Sequence, residues 1–247
     1  MNKIEDWINQ NKLKRNTSWN WKLDGYYIED VLPNTYESYA LIYHPFKLPL
    51  DQLITEGQAE IRLNELSKGS VESVNQDIYN IEGDEKFIQR REARWEEVFS
   101  FHGLSFDKYG SWYNHIFQLD STNRIYNSEM PDQDNIPISI LNQIANYLFS
   151  QNINRITINS LSNTISYKEE IRAKSENLPI TDILEDNSIH ILSSTNADWI
   201  FINPFDYCRT IVGATRDFII NLKLSTSLEI SELLGPKHRL NMQSQNS

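Results

Sequence analysis

Two stretches of the chain repeat their apolar residues at the helical period. Over 137–151, "PISILNQIANYLFSQ", the residues Ile140, Leu141, Ile144, Tyr147 and Leu148 form one stripe, and Pro137 stands where a first-turn proline is tolerated. Over 87–103, Ile88, Arg91, Trp95, Val98, Phe99 and His102 line one side, and Gly103 supplies a C-terminal stop. Both predict helices. Ile4, Trp7, Ile8 and Leu13 predict a shorter one over 2–12, and a closing helix is predicted over 214–225 with Thr215 at its N-cap. Between the last two helices the pattern turns to short β-branched runs. These predict strands over 154–159, 188–194, 197–203 and 207–213, the last two joined by the turn "NPFD" (203–206) into an antiparallel hairpin. Residues 24–33 open on Asp-Gly and read as a short strand or extended segment closed by Pro33.

The stretch "TYESYALIYHPF" (35–46) is harder. Tyr36, Tyr39, Ala40 and Tyr43 fall at i, i+3, i+4 and i+7, with Glu37 in a first turn and Pro45 disfavouring helical geometry at His44. This predicts a short helix ending at His44, where an imidazole meets free carbonyls. The alternative is a working role for His44 in a site.

Residues 47–86 are hydrophilic and weakly periodic, and read as an insertion with one helix near 50–66. The tail from 236 to 247 is polar and is expected to be disordered. Taken in order, the elements predict an α+β fold: a small antiparallel sheet packed with several helices, with a C-terminal β-hairpin followed by a helix. One domain is expected over 1–235.

Composition narrows the function. The chain is 247 residues long, 39% apolar and 11% aromatic, enough for a packed core. Only eight glycines occur and no glycine-rich phosphate loop is present. The net charge of −11 disfavours binding to duplex DNA or an anionic membrane. The basic stretches "KLKR" (12–15) and "RREAR" (90–94) read as solvated helix faces. An acidic protein suits a basic partner, whose approach its field would accelerate. A single cysteine, Cys208, the absence of a signal-like leader and the absence of a long apolar run predict a cytoplasmic protein.

Candidate chemistry is thin. Five histidines occur, at 44, 102, 115, 190 and 238, in no metal-ligand spacing, so no metal or other cofactor is expected. His44 and His102 are the catalytic candidates, and His190 reads as a core residue. Cys208 lies in a predicted strand and reads as a buried side chain rather than a nucleophile. Asp77 with "DEK" (84–86) only loosely matches a nuclease pattern. Trp19, Trp21, Tyr26, Tyr27, Trp112 and Tyr113 are the binding candidates, because Trp and Tyr dominate interface hot spots. Packing into the core is the competing role for each.

Three pieces resemble a family of uncharacterised bacterial proteins. They are "GYYIEDVLPNTYESYALIYHPF" (25–46), "RWEEVFSFHGLSF" (94–106) and "DWIFINPFDYCRTIVGATRDFI" (198–219). The first is similar to the family's strand, Leu-Pro and Tyr-x-x-Tyr-Ala-x-Ile-x-His-Pro. The last is similar to its Trp-strand and Val-Gly-Gly-Ser-helix ending, of which Val212 and Gly213 are kept while Ala214 and Thr215 replace Gly-Ser. The resemblance covers about a third of the chain and implies an intact domain fold. It also draws attention to His44. No activity comes with it.

The function these features favour is that of a non-catalytic acidic binding protein. It would be immunity- or antitoxin-like, or an accessory subunit of a bacterial defence or toxin module, acting by contact with another, basic protein. The alternative is an enzyme with a site around His44 and His102.

Overall fold

The computed structural model describes residues 26–49, 90–106, 130–132, 135–162, 172–181, 189, 191–203 and 208–240. The chain divides into two compact units. Residues 1–44, 107–115 and 132–247 form the first, and 45–106 with 116–131 form the second.

The first unit is built on a six-stranded antiparallel sheet, which establishes the α+β class. Its strands are β2 (Ser38–Tyr43), β5 (Arg155–Ser162), β6 (Arg172–Pro179), β7 (Ile191–Ser193), β8 (Ile200–Ile202) and β9 (Arg209–Ala214), in the order β2-β9-β8-β7-β5-β6. The predicted hairpin is present: β8 and β9 pair antiparallel, Phe201 opposite Val212. Its turn at 204–206 lies outside the described residues. Pairing also sets a row of core residues across the sheet, Ala40, Val212, Phe201, Leu192 and Ile158, each opposite the next.

Two helices cover that row. Helix α3 (Ile138–Ser150) carries the stripe read from the sequence, with Ile140, Leu141, Ile144, Tyr147 and Leu148 all buried. It ends in a Schellman turn at Asn152, whose φ is 58° and whose successor Ile153 donates to the Leu148 carbonyl at 3.0 Å. Helix α4 (Arg216–Ser225) starts at the predicted cap, where Thr215 Oγ1 accepts from the Phe218 amide at 3.3 Å. The Glu37 carboxylate adds a second cap by accepting from the Arg216 amide at 3.2 Å. Phe218 then stacks on Trp199 and meets Tyr147 edge-on, binding the two helices to the sheet.

The helix predicted over 35–43 is a strand. All six residues of β2 are buried, so both faces of the strand are apolar and the period of two is hidden. The outer edge of β2 is sealed by 229–234: Tyr43 donates to the Glu229 carbonyl, Ser231 to Leu41, and Leu234 exchanges both bonds with Tyr39. Of the segment 24–33, the described residues from Tyr26 on are only partly extended. Tyr26–Tyr27 form β1, and Ile28–Val31 close into one helical turn, α1, whose first amides donate to the His238 and Pro236 carbonyls. β1 pairs with β10 (Arg239–Leu240), so the tail expected to be disordered from 236 is structured as far as Leu240. Residues 241–247 lie outside the described set.

In the second unit β3 (Phe46–Pro49) and β4 (Arg90–Ala93) pair as an antiparallel ladder, and β4 is followed by α2 (Trp95–Phe101). The helix predicted from 87 therefore begins only at Trp95. Phe46, Leu48 and Ala93 are buried from the strands, and Trp95, Val98 and Phe99 from the helix. Arg91, on β4, bonds Glu97 on the helix, a contact made across the strand–helix corner. Gly103, at φ 68°, ends α2 in a second Schellman turn, with Leu104 donating to Phe99 and Gly103 to Ser100. The helix expected near 50–66 and that over 2–12 fall outside the described residues, and no described helix is long and apolar enough to cross a membrane.

Candidate functional site

His44 follows directly from the last residue of β2, and its amide donates to the Cys208 carbonyl at 3.1 Å, extending the β2–β9 ladder by one step. Its side chain shares the sheet face of Ala40 and Ile42, because side chains two residues apart point the same way. It is fully buried, at 0% exposure. Both ring nitrogens are engaged. Nδ1 lies 2.5 Å from the Asp132 carbonyl oxygen, and Nε2 lies 2.9 Å from Thr210 Oγ1. A carbonyl only accepts, so Nδ1 carries the proton. In the neutral ring Nε2 then accepts from the Thr210 hydroxyl.

Thr210 sits opposite Ile42 in the register, and Asn203 follows the last residue of β8 on the neighbouring strand. Thr210 and Asn203 are both buried at 0% exposure. Asn203 Nδ2 donates to the Asn135 carbonyl at 2.8 Å, and the Ile136 amide donates to Ile189 at 3.1 Å. Asn203 Oδ1 has no hydrogen-bond partner among the described residues. His44, Thr210 and Asn203 thus form a polar row at one end of the sheet, bonded to the stretch that holds Asp132, Asn135 and Ile136.

The chemistry this row can perform is limited by access. A hydroxyl donating to an imidazole that is oriented through its other nitrogen is the arrangement of a base-activated nucleophile. Here both Thr210 and His44 are fully buried, which opposes that use. The same bonds satisfy every polar atom of the imidazole, which is what a buried histidine requires structurally. Of the two sequence readings, the helix-end role of His44 is therefore replaced by a strand-end role with the same logic: the imidazole satisfies carbonyl and hydroxyl groups where the chain leaves the sheet.

Beside this row, Cys208 is buried, as expected, and burial pushes its thiol up to about 12 despite the opposing effect of the Arg209 charge. A thiol so protonated at neutral pH is not a nucleophile. Arg209 is itself buried, at 2% exposure, with its guanidinium 4.8 Å over the Tyr43 ring. His238 is half-buried, and desolvation, helped by Arg209, lowers its pKa.

The other candidates are placed as follows. His102 caps the C-terminus of α2 in the second unit, its ring edge-on to Phe101. His44 belongs to the first unit. Tyr26 and Tyr27 form β1, opposite Leu240 and Arg239. Trp19, Trp21, Trp112, Tyr113, His115, His190, Asp77 and 84–86 lie outside the described residues. Among the described residues no three His, Cys, Asp or Glu side chains gather as a metal site would require. Thr210 and Asn203 were not singled out from the sequence. Their signal is a polar residue at core-facing parity in a predicted strand, beside apolar neighbours at the same parity. No protein-family model, no curated protein and no solved structure matches the chain.

Proposed function

We propose that this protein acts by contact: an acidic binding protein whose partner is another, basic protein. An immunity- or antitoxin-like protein, or an accessory subunit of a bacterial defence or toxin module, is the setting this reading favours. The observation that carries it is the charge, 34 acidic against 23 basic side chains. Such an excess steers association with a basic surface and opposes binding to nucleic acid. The sealed state of His44 and Thr210 supports the same reading, because it removes the best chemical group from solvent. An enzyme with a site around His44 and His102 is the alternative, favoured by the Thr210–His44 hydrogen bond and opposed by its burial.

The test is a pull-down of the tagged full chain from a bacterial host at low salt, with mass spectrometry of what co-purifies, followed by association kinetics. One stoichiometric basic protein, with an association rate that falls steeply as salt rises, is the expected result. Neutralising the exposed Glu37, Asp198 and Asp217 together should slow association and flatten that salt dependence. A rate indifferent to salt and to these substitutions would refute the steering argument.

A further inference from the structure

The segment 229–234 runs antiparallel along the outer edge of β2, but not as a regular strand. Isolated bridges join Tyr39 to Leu234 and Ile42 to Ile230. From 39 to 42 is three steps and from 230 to 234 is four, so the segment carries one extra residue, a β-bulge. At Leu234 the pairing is regular, since its backbone exchanges both bonds with Tyr39, at 2.7 and 3.1 Å. At Ser231 it is not. The Ser231 amide donates to the Leu41 carbonyl at 2.9 Å, but the Leu41 amide donates to Ser231 Oγ, also at 2.9 Å, instead of to a backbone carbonyl. The hydroxyl passes its own proton to the Glu232 carbonyl at 2.9 Å, which leaves its lone pairs for Leu41. Ser231 and Leu41 are both buried, and the hydroxyl fills the place of a backbone acceptor that the bulge displaces.

We propose that this bulged segment is a guard on the β2 edge, held in register by the Ser231 hydroxyl, and that the edge beneath it is self-complementary: once bared, it pairs with the same edge of a second copy of the chain. Bare sheet edges template such pairing, and bulges and covering segments are how folds suppress it. The sequence of β2, "SYALIY", has neither charge nor proline to oppose it. The alternate residues Tyr39, Leu41 and Tyr43 all point their amides outward, toward the guard. In an antiparallel pair centred on Leu41, that residue exchanges both bonds with the second copy's Leu41, and Tyr39 does the same with the second copy's Tyr43. No charged side chain of either strand meets another in that register. Ile230 and Leu234 are buried, so their apolar side chains anchor the guard while the hydroxyl sets its register.

The experiment uses the full chain and two readouts, amide hydrogen exchange and sedimentation. Ser231→Ala deprives the Leu41 amide of its acceptor and should speed its exchange by about tenfold, with the β9 amides unchanged. Ser231→Thr keeps the hydroxyl and should hold Leu41 closer to the native rate. Ser231→Ala combined with Leu234→Pro also removes the donor to the Tyr39 carbonyl, and this double variant should self-associate more than the native chain does. Because each copy carries a net charge of −11, that self-association should strengthen as salt rises, the reverse of the trend expected for a basic partner. Protected β9 amides show that the sheet is folded. If the double variant unfolds, Ser231→Ala alone is compared with the native chain at raised concentration. An unchanged Leu41 rate in Ser231→Ala, or a folded variant that associates no more than the native chain, overturns the proposal.

Discussion

Gly213→Ala should destabilise the protein, and Tyr36 should be the reason. Gly213 adopts no left-handed φ, so alanine has no backbone penalty there. Substituting alanine for glycine at a compatible position stabilises by about 0.4–1 kcal/mol. The obstacle is steric. A Cβ at Gly213 would stand 2.6 Å from Tyr36 Cδ2, 3.0 Å from Cγ and 3.1 Å from Cε2. Carbon atoms in contact sit about 3.5–4.0 Å apart, so the ring has to retreat by about an ångström. It cannot swing away through its tip alone, because Cγ, at the root of the ring, is among the crowded atoms. The ring is also held edge-on to Tyr39 at 6.0 Å between centroids, and Tyr39 in turn donates to the Pro33 carbonyl at 2.6 Å. Overpacking of this type costs about 1–3 kcal/mol, which exceeds the alanine gain.

The assay is a double-mutant cycle read by denaturant unfolding. In the native background Gly213→Ala should cost about 1–2 kcal/mol, or about 2–8 °C in Tm for a protein of this size. In a Tyr36→Ala background the collision is gone, and the same substitution should be neutral or stabilise by about 0.5 kcal/mol. The coupling between the two positions should therefore reach about 1–2.5 kcal/mol. A Gly213→Ala cost that persists undiminished without the Tyr36 ring would refute the argument, and would place the requirement for glycine in the backbone of β9 instead.

Three further outcomes follow from the same structure. His44→Ala removes the bonds to the Asp132 carbonyl and the Thr210 hydroxyl from a buried site and should cost about 2–4 kcal/mol, measured by chemical denaturation; a melting temperature unchanged within a degree would refute the structural role of these bonds. Stability should fall as pH rises above about 9: below the ordinary thiol value folded and unfolded Cys208 both hold the proton, whereas between 9.0 and about 12 the unfolded chain releases it first, a dependence of about 1.4 kcal/mol per pH unit that Cys208→Ala should remove from the lower end of the window, before the buried Tyr36, Tyr39 and Tyr147, whose pKa values burial also raises, take over. Thr215→Ala should cost about 1 kcal/mol, visible as a lower denaturation midpoint at unchanged slope, and less if the Glu37 carboxylate alone satisfies the first turn of α4.

What the sequence made legible follows from how many sides of an element are buried. Helix α3 buries one face and leaves Asn142 and Asn146 exposed on the other, so its stripe of Ile140, Leu141, Ile144, Tyr147 and Leu148 could be read residue by residue. The same holds for the Thr215 cap and for the Gly103 stop, which depend only on local chemistry. Strand β2 is apolar on both faces, and in such a run the positions 36, 39, 40 and 43 match a helical stripe by coincidence. The flanking Pro33 and Pro45 leave room for ten residues or so, and the Tyr- and Ile-rich run between them favoured the strand on composition. β6 was missed for the opposite reason. Its sequence, "RAKSENLP", has no apolar alternation, and the strand pairs only with β5 among the described residues, so its partner rather than its own pattern defines it. Helix α2 was predicted too long because Arg91 falls on the helical stripe, while its actual contact is made from a strand to Glu97.

The candidate site shows the same division. His44 was visible because His-Pro is an unusual way to end an apolar run, yet the groups that define its role come from far along the chain. Thr210 is 166 residues away and the Asp132 carbonyl is 88. Sequence spacing carries no trace of a contact made by a strand register, and a backbone carbonyl has no residue type to search for. Polar residues at core-facing parity are the only local mark such a row leaves: His44 two steps beyond Ile42, Thr210 two steps before Val212, Asn203 two steps after Phe201. Each alone reads as noise in a strand pattern, but the antiparallel register of three adjacent strands sets them side by side. A buried row of this kind costs free energy unless its polar atoms find partners, and the Asp132 carbonyl, the Thr210 hydroxyl and the Asn135 carbonyl supply them for both ring nitrogens of His44 and for Asn203 Nδ2.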